Sequence, residues 1–580
     1  MTRGPGAGAG RSPAAHAGDT TRSRAGDKPG TRAGDKPGSR ESDNPGIQAG
    51  DKPGSPESDK PGARAGDKPG SRESDKPGTR AGDKPGSRES DKPGSRGGAA
   101  RSPRAGQRAP ARGGRGRGSG GAARRRVGPA RLVAFEVVRA VRERDAYANL
   151  LLPALLHEQG LTGRDAALAT ELSYGTLRGQ GTYDAVIAAC SARGLGQIDP
   201  PVLDVLRLGA HQLLATRVGA HAAVATSVDL AREVAGPGPA GFVNAVLRRV
   251  ASRDLESWIA ATAPDRAADP VGHLALRYSH PAWIVAAFAA SLGEDAATGL
   301  GRTEAVLAAS AGRPRVTLCA VPGLASQEEL VAAGAGPARW SPFGAYLEVG
   351  DPAAVGAVGQ GRAAVQDEAS QLAALALTRV DVGTPDRRWL DLCAGPGGKA
   401  RLLSGLAAGG GARLLAADAR LHRARLVRAA VSAEAAVVVA DGTAPAWRPA
   451  SFDRVIADVP CSGLGALRRR PEARWRKSPA DVARLAGLQR RLLATALDAA
   501  RTGGAVAYVT CSPHLDETRG VVGDVLRGRG DVTVLDAPAV LAEVPGLRCP
   551  GPDGRYAQFW PDRHGTDAIF LALLQRRPGG

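Results

Sequence analysis

Two cysteines stand out by what precedes them. Cys461 closes the run FDRVIADVPC and Cys511 closes GAVAYVTC, so each thiol follows a short apolar stretch and sits beside Pro or Ser. A lone cysteine is more often apolar packing than chemistry, but two in matching positions are harder to assign to packing. One reaction that needs such a pair is methylation at carbon 5 of a pyrimidine. That carbon is a poor nucleophile until a thiolate adds at carbon 6 and turns the ring into an enamine. The adduct must then lose its carbon-5 proton and expel the thiol, a step that a second thiol can assist. Asp458, three residues before Cys461, offers a carboxylate for the N3/N4 edge of a cytosine and for the charge that builds there.

A second cluster is the glycine-rich stretch DLCAGPGGK, Asp391–Lys399. Glycines between a strand and a helix let the backbone approach a ligand closely. The pattern is neither GxxxxGK[ST] nor GxGxxG, which argues against a nucleotide P-loop and against a nicotinamide site. Asp418 ends the next apolar run, RLLAAD, where a carboxylate can accept from a ribose diol. Together these residues suggest an adenosine-type cofactor; a tight packing turn is the plainer alternative. Lys399 is also unusual. Among the 50 basic residues of 127–580, only Lys399 and Lys477 are not Arg, which suggests a need at 399 for a compact, flexible ammonium.

Positioning these groups takes a particular scaffold. From residue 366 onward the chain alternates short apolar runs (WLDLC, RLLAAD, AAVVVAD, FDRVIADVP, GAVAYVTC) with helical segments. Buried parallel strands joined by helices have this texture, and ligands bind beyond the carboxyl ends of such strands. Cys393, Asp418, Asp441, Asp458 with Cys461, and Cys511 fall at those ends, and DAIFLALL is placed to close the sheet. The fold class expected is multidomain α and α/β. It comprises an α/β domain with a parallel sheet at 366–580, expected to be the catalytic one, a small α/β linker module at 266–365, a helical bundle at 127–265 and an N-terminal arm at 1–126. The bundle is read from apolar residues at helical spacing in RLVAFEVVRAV, DAALATELSYGTLRG and PPVLDVLRLGAHQLLA. The linker is read from a helical HPAWIVAAFAASL, then PRVTLCAV, QEELVAAG and AYLEVG as strand, helix and strand.

The arm has a different character. Residues 25–96 are nine copies of an octad such as AGDKPGSR or ESDKPGSR, and residues 97–126 hold nine Arg and no acid. With almost nothing apolar to bury, the arm is expected to be disordered. Its Arg/Gly-rich end suits loose contact with phosphates, or else the arm is a solubilising tail. The net charge of +20 is concentrated there: the first 126 residues carry 28 Lys and Arg against 14 Asp and Glu, the rest 50 against 44. No run approaches the ~20 apolar residues of a membrane span, and the N-terminus lacks the apolar core of a secretory signal. Six scattered cysteines without a CxxC or HxxxH pair fit reduced thiols in the cytoplasm better than disulfides or a metal site. No heptad seam suggests a dimer, so a monomer is expected.

DLCAGPGGK, DVPCSGLG followed by RRRPEARW, and YVTCSPHLDET resemble the motifs of RNA cytosine-5 methyltransferases, in the same order. The bundle, with ELSYGTLR and GFVNAVLRR, resembles the NusB-like domain of the RsmB (Sun) type, which methylates small-subunit ribosomal RNA. The resemblance spans about residues 127–576 and leaves out the arm. It implies S-adenosylmethionine as methyl donor, held by Cys393, Ala394, Gly395, Pro396, Gly397, Gly398, Lys399, Asp418, Asp441 and Asp458. It implies Cys511 as nucleophile, Cys461 as the releasing thiol, Asp458 and Lys399 as further catalytic groups, and ribosomal RNA with a single-stranded or flipped-out cytosine as partner, with no metal. Gly395 stands where the family usually has Ala. His514-Leu515-Asp516-Glu517-Thr518 replaces the usual Pro-Glu-Glu-Asn. His514 and His564 are expected to be structural.

Two other readings remain open. In a DNA cytosine-5 methyltransferase the thiol after Pro460 would be the nucleophile, which gives Cys511 no task. An RNA-binding assembly factor that had lost turnover would not need both thiols, Lys399 and the carboxylates.

Overall fold

The computed structural model describes residues 127–551 and 553–577; the expected disorder of the arm lies outside the described residues. The bundle forms first in the chain. Its helices are α1 (Pro129–Glu143), α2 (Ala148–Glu158), α3 (Gly163–Cys190), α4 (Pro200–Ala215), α5 (Ala220–Ala235), α6 (Ala240–Val250) and α7 (Leu255–Thr262). Proline starts α1 and α4 at positions where its missing N–H costs nothing. The apolar stripes seen in the sequence bury against one another: Val137, Leu172, Ile187, Leu206 and Leu247 are almost inaccessible. α2 carries an internal proline, Pro153, and its run ANLLLPALLHE lacks a clean helical stripe, so the periodicity of the sequence does not reveal it.

Three further helices, α8 (Pro270–Arg277), α9 (Ala282–Leu292) and α10 (Gly301–Ala311), bury Leu274, Ile284 and Phe288 against Leu464, Leu467 and Trp560 of the catalytic region. A small antiparallel sheet follows, built from β1 (Val316–Ala320), β2 (Gly336–Pro337), β3 (Gly344–Leu347) and β4 (Ala363–Val365) in the order β2-β3-β1-β4.

The main sheet contains β5 (Arg388–Asp391), β6 (Arg413–Asp418), β7 (Ala436–Val439), β8 (Phe452–Asp458), β9 (Ala500–Thr510), β10 (Val532–Val534), β11 (Ala557–Gln558) and β12 (Phe570–Arg576). Their order is β10-β12-β9-β8-β5-β6-β7, with β11 paired to β12. β5 through β9 run parallel. β12 runs antiparallel to β9. The DAIFLALL run does not close the sheet, because β10 pairs outside it. Val532–Val534 is too short for its alternation to be read from the sequence. Helices cover both faces, over two separate apolar clusters. The order reverses between β5 and β8, which are neighbours although β6 and β7 lie between them in the chain. A crevice opens at such a reversal, beyond the carboxyl ends of the strands. No helix among the described residues is long and apolar enough to cross a membrane.

Candidate active site

Asp391 is the last residue of β5, and the glycine turn begins directly after it. The turn is held by backbone bonds from Ala394 N–H to Ala417 O (2.8 Å) and from Gly397 N–H to Ala394 O (2.7 Å). Gly397 has φ +114°, and a side chain there would press on Ala430, 2.7 Å from the added Cβ. The helix Gly398–Gly409 starts at once, so Lys399 lies in its first turn and its side chain is buried.

Lys399 Nζ donates to Asp458 Oδ2 at 2.8 Å, across the junction of β5 and β8. Burial disfavours the ammonium, but the Asp458 carboxylate outweighs it and the Lys399 pKa ends above its ordinary value. Asp391 has the opposite balance. Almost fully buried and close to the Asp458 charge, its carboxyl is pushed up to about 8. Its Oδ1 accepts from Cys393 N–H at 3.3 Å, while Oδ2 has no partner among the described residues.

Asp418, at the end of β6, accepts from Gly395 N–H (3.1 Å) on one oxygen and from Arg420 N–H (2.8 Å) on the other. A Cβ on Gly395 would collide with that first oxygen. Ala for Gly is therefore not a neutral exchange here: the missing methyl lets Asp418 close onto the turn. Asp441 lies two residues beyond β7, exposed, with Oδ1 bonded to the Thr443 N–H and hydroxyl at 2.8 Å.

The two thiols meet. β8 and β9 are adjacent and parallel, with Asp458 opposite Val509, so the segments that follow them leave the sheet side by side. Cys461 Sγ and Cys511 Sγ are 3.2 Å apart, and both cysteines are free. The shared hydrogen bond pulls the Cys511 pKa below its ordinary value against the effect of burial, with Arg470 and Lys399 adding positive charge. The same bond, reinforced by burial, pushes Cys461 well up. Either sulfur can donate in this contact. Cys393, the third thiol of the rim, is pushed up by burial and by the Asp391 carboxylate.

Glu517 holds the two thiol loops together. It is completely buried and accepts from Ser462 N–H at 2.7 Å, from the Ser462 hydroxyl, and from Gln489 Nε2 at 3.1 Å. The Ser462 oxygen in turn accepts from the Ser512 hydroxyl, the two Oγ atoms lying 3.1 Å apart. One carboxylate therefore ties the residue after Cys461 into a network that reaches the residue after Cys511. His514 accepts from Asp516 N–H through Nδ1 at 3.2 Å, and His564 bonds the Arg548 carbonyl at 2.9 Å. Cys511, Cys461, Asp458, Lys399, Asp391 and the glycine turn thus share the crevice, with Asp418 at the next strand and Asp441 at its periphery.

Three site residues lie outside the expected set. Asp391 opens the glycine-rich stretch and ends an apolar run just as Asp418 does, but is not among the residues expected to hold the cofactor. Gln366 is buried with Nε2 unpartnered among the described residues, and a Cβ on Gly398 would lie 3.8 Å from it; no local pattern marks it. Glu517 is marked only by its place in the motif after Cys511. The two orphaned buried atoms, Asp391 Oδ2 and Gln366 Nε2, flank a turn whose glycines leave room. A cofactor with polar groups to satisfy fits that cradle. No group of three or more His, Cys, Asp or Glu residues that could hold a metal occurs among the described residues.

Comparison with known proteins agrees. Residues 380–575 match the family model of the 16S rRNA methyltransferase RsmB/F, and residues 128–252 match the NusB family. A Mycobacterium tuberculosis protein described as a methyltransferase is 52% identical over 461 residues, covering 79% of this chain and 99% of that one. The ribosomal RNA small subunit methyltransferase B of Pseudomonas putida is 33% identical, covering 77% and 98%. Among solved structures, that of PH0851 superposes with a TM-score of 0.63 at 20% identity, over 78% of this chain and 99% of that one, a likeness of fold. The chain belongs to the RsmB/F family of S-adenosylmethionine-dependent RNA methyltransferases, with a NusB-family domain ahead of the catalytic one.

Proposed function

We propose that the chain methylates carbon 5 of a cytosine in small-subunit ribosomal RNA through a covalent bond from Cys511 to carbon 6. The observation that carries this reading is the Cys461–Cys511 pair, 3.2 Å apart at the ends of adjacent parallel strands, with Cys511 the more acidic thiol. The ribosomal target is suggested by the relatives named ribosomal RNA small subunit methyltransferase B.

S-adenosylmethionine supplies an electrophilic methyl group. The turn Cys393–Lys399, with Ala394, Gly395, Pro396, Gly397 and Gly398 between, and the carboxylates of Asp418, Asp441 and Asp458 are the groups to hold it; Asp391 and Gln366 join them on the strength of their unpartnered atoms. Cys511 gives its proton to solvent and adds to carbon 6 as thiolate. Asp458, steadied by Lys399 at 2.8 Å, meets the N3/N4 edge of the base. After methylation a base takes the carbon-5 proton, the pair of that C–H bond re-forms the carbon 5–carbon 6 double bond, and the bond from carbon 6 to sulfur breaks with its pair on Cys511, which leaves as thiolate. Cys461, 3.2 Å from Cys511, assists that release as the base: its own proton passes to solvent and its sulfur takes the carbon-5 proton. On this reading residues 127–265 handle RNA, 266–365 link and 366–580 catalyse, in one monomer in the reducing cytoplasm. The DNA-type arrangement, in which Cys461 would attack, gives Cys511 no task.

The test is a denaturing gel of each cysteine variant with ribosomal RNA and labelled methyl donor. Cys461→Ser should accumulate a labelled, slowly migrating protein–RNA adduct. Cys511→Ser should give neither adduct nor product, since a hydroxyl is a far weaker nucleophile than a thiolate at neutral pH. The reverse pattern would exchange the two roles. No adduct in either variant, with the wild type active, would remove covalent catalysis.

A further inference from the structure

The bundle holds a second concave site, separate from the crevice described above. A cavity of about 320 Å³ opens between α3, α4, α7 and α8. Its floor is bonded and rigid. Tyr183 OH and His211 Nδ1 are 2.9 Å apart, and His211 Nε2 faces Glu171 Oε1 at 3.4 Å. Both rings press on the backbone of α3 at Gly175 and Gly179, where an added Cβ would collide with His211 and Tyr183 respectively.

The rim is basic. Arg178, Arg277 and Arg313 all line it. Arg277 is satisfied by Glu256 at 2.8 Å. Arg178 and Arg313 are not: among the described residues neither has a carboxylate oxygen within 4.0 Å, and the nearby Glu171 is turned to His211. Burial lowers the Arg178 pKa, Glu171 opposes that, and Arg313 adds repulsion. The cleft holds one carboxylate, Glu171, engaged by His211, against the two guanidinium groups of Arg178 and Arg313, and that excess of positive charge favours an incoming anion. Guanidinium pairs bind phosphate with forked, charge-assisted hydrogen bonds.

The wall of this cavity is bonded to the catalytic domain. Arg474, thirteen residues after Cys461, donates to the carbonyl of Arg178 itself at 2.8 Å and to that of Ser279 at 3.2 Å. An anion seated here therefore lies against the segment that continues from the Cys461 loop.

We propose that this cavity is an RNA exosite, in which Arg178 and Arg313 grip one backbone phosphate of the substrate away from the reacting base. The proposal rests on the RNA-methylation reading above and adds to it a specific anchoring point. Anchoring strengthens RNA binding and leaves the chemistry at the base unchanged.

The experiment uses the full chain and its Arg178→Gln, Arg313→Gln and double variants. RNA affinity is measured across a salt series, alongside methylation kinetics at saturating cofactor. The double variant should bind RNA about tenfold more weakly near 0.1 M salt, a change of about 1.4 kcal/mol. Its log-affinity against log-salt slope should be shallower by about 0.7 for a single-stranded contact or about 0.9 for a duplex. KM for RNA should rise while kcat stays within about twofold, as for a loss of uniform binding. Arg313 is exposed, so Arg313→Gln carries the test alone where Arg178→Gln disturbs folding. Unchanged affinity and slope in variants of an active wild type would overturn the exosite and leave the methyltransferase reading standing. A wild type that binds RNA without methylating it, with the slope still reduced in the variants, would sink the activity and support the exosite. Inorganic phosphate or adenosine monophosphate that protects the cavity at millimolar concentration, with RNA affinity insensitive to both substitutions, would make it a small-anion site and overturn the RNA assignment.

Discussion

Asp391 and Asp458 stand on neighbouring strands with the Lys399 ammonium bonded to only one of them. Asp458 takes the ion pair at 2.8 Å; Asp391 is left buried, with its pKa at about 8 against an ordinary ~3.9. The consequence for stability has a definite sign. Between about pH 4 and 8 the folded carboxyl keeps a proton that the unfolded chain has lost. The unfolded state therefore binds fewer protons, and stability falls as pH rises through that window, levelling off above it. Asp391→Asn removes the titration. In denaturant unfolding without cofactor, the variant should gain on the wild type by on the order of 1–3 kcal/mol between pH 6 and 9. Parallel pH profiles for the two proteins would contradict an unpaired, buried Asp391. At this scale the sequence was most legible where an apolar run ended in a reactive residue: Cys461, Cys511, Asp418 and Asp458 were all found that way. Asp391 follows the same rule, and only its burial and its unpartnered oxygen single it out. Gln366 and Glu517 act through contacts over tens of residues, which local spacing does not encode.

Between the thiol loop and the bundle runs the segment Arg468–Arg476, RRRPEARWR, which the sequence marks as part of the motif after Cys461 without showing where its arginines turn. Its side chains divide between two neighbours. Arg468 and Arg469 enter a buried cluster with Asp367 and Asp567 at 2.6–3.1 Å. Arg474 and Arg476 donate instead to carbonyls of the helical region: Arg474 to Arg178, Ser279 and Ser310, Arg476 to Val141 and Ala146 at 2.8 Å. Arg474 is fully buried without a salt-bridged carboxylate, and burial lowers its pKa to about 9. Removing it strands three carbonyls. Arg474→Ala should cost on the order of 2–4 kcal/mol in chemical denaturation. A loss under about 0.5 kcal/mol would mean that water takes over those carbonyls and that the segment is not a structural tie. A run of arginines on its own suggests an RNA-facing surface. The structure turns several of them inward, and only tertiary contact could reveal that. The same limit applies to β10, whose three residues are recognisable only from their pairing with β12.

Across the whole molecule, the alternation of strands and helices from residue 366, and the helical periodicity before residue 262, were enough to anticipate a helical bundle joined to a parallel α/β sheet. The antiparallel return of β12, and the way α8–α10 pack on the catalytic region through Leu464, Leu467 and Trp560, were not, because both depend on partners distant in the chain. The helical region is tied to the segment after Cys461 through Arg474, and Lys399 and Asp458 bridge β5 and β8 beside the thiols. The most direct measurement is nucleoside mass spectrometry of small-subunit ribosomal RNA after incubation with the full chain and isotopically labelled S-adenosylmethionine. The label should appear in 5-methylcytidine and nowhere else. Label in another nucleoside, or none in RNA from an enzyme that binds the cofactor, would contradict cytosine-5 methylation by this pair.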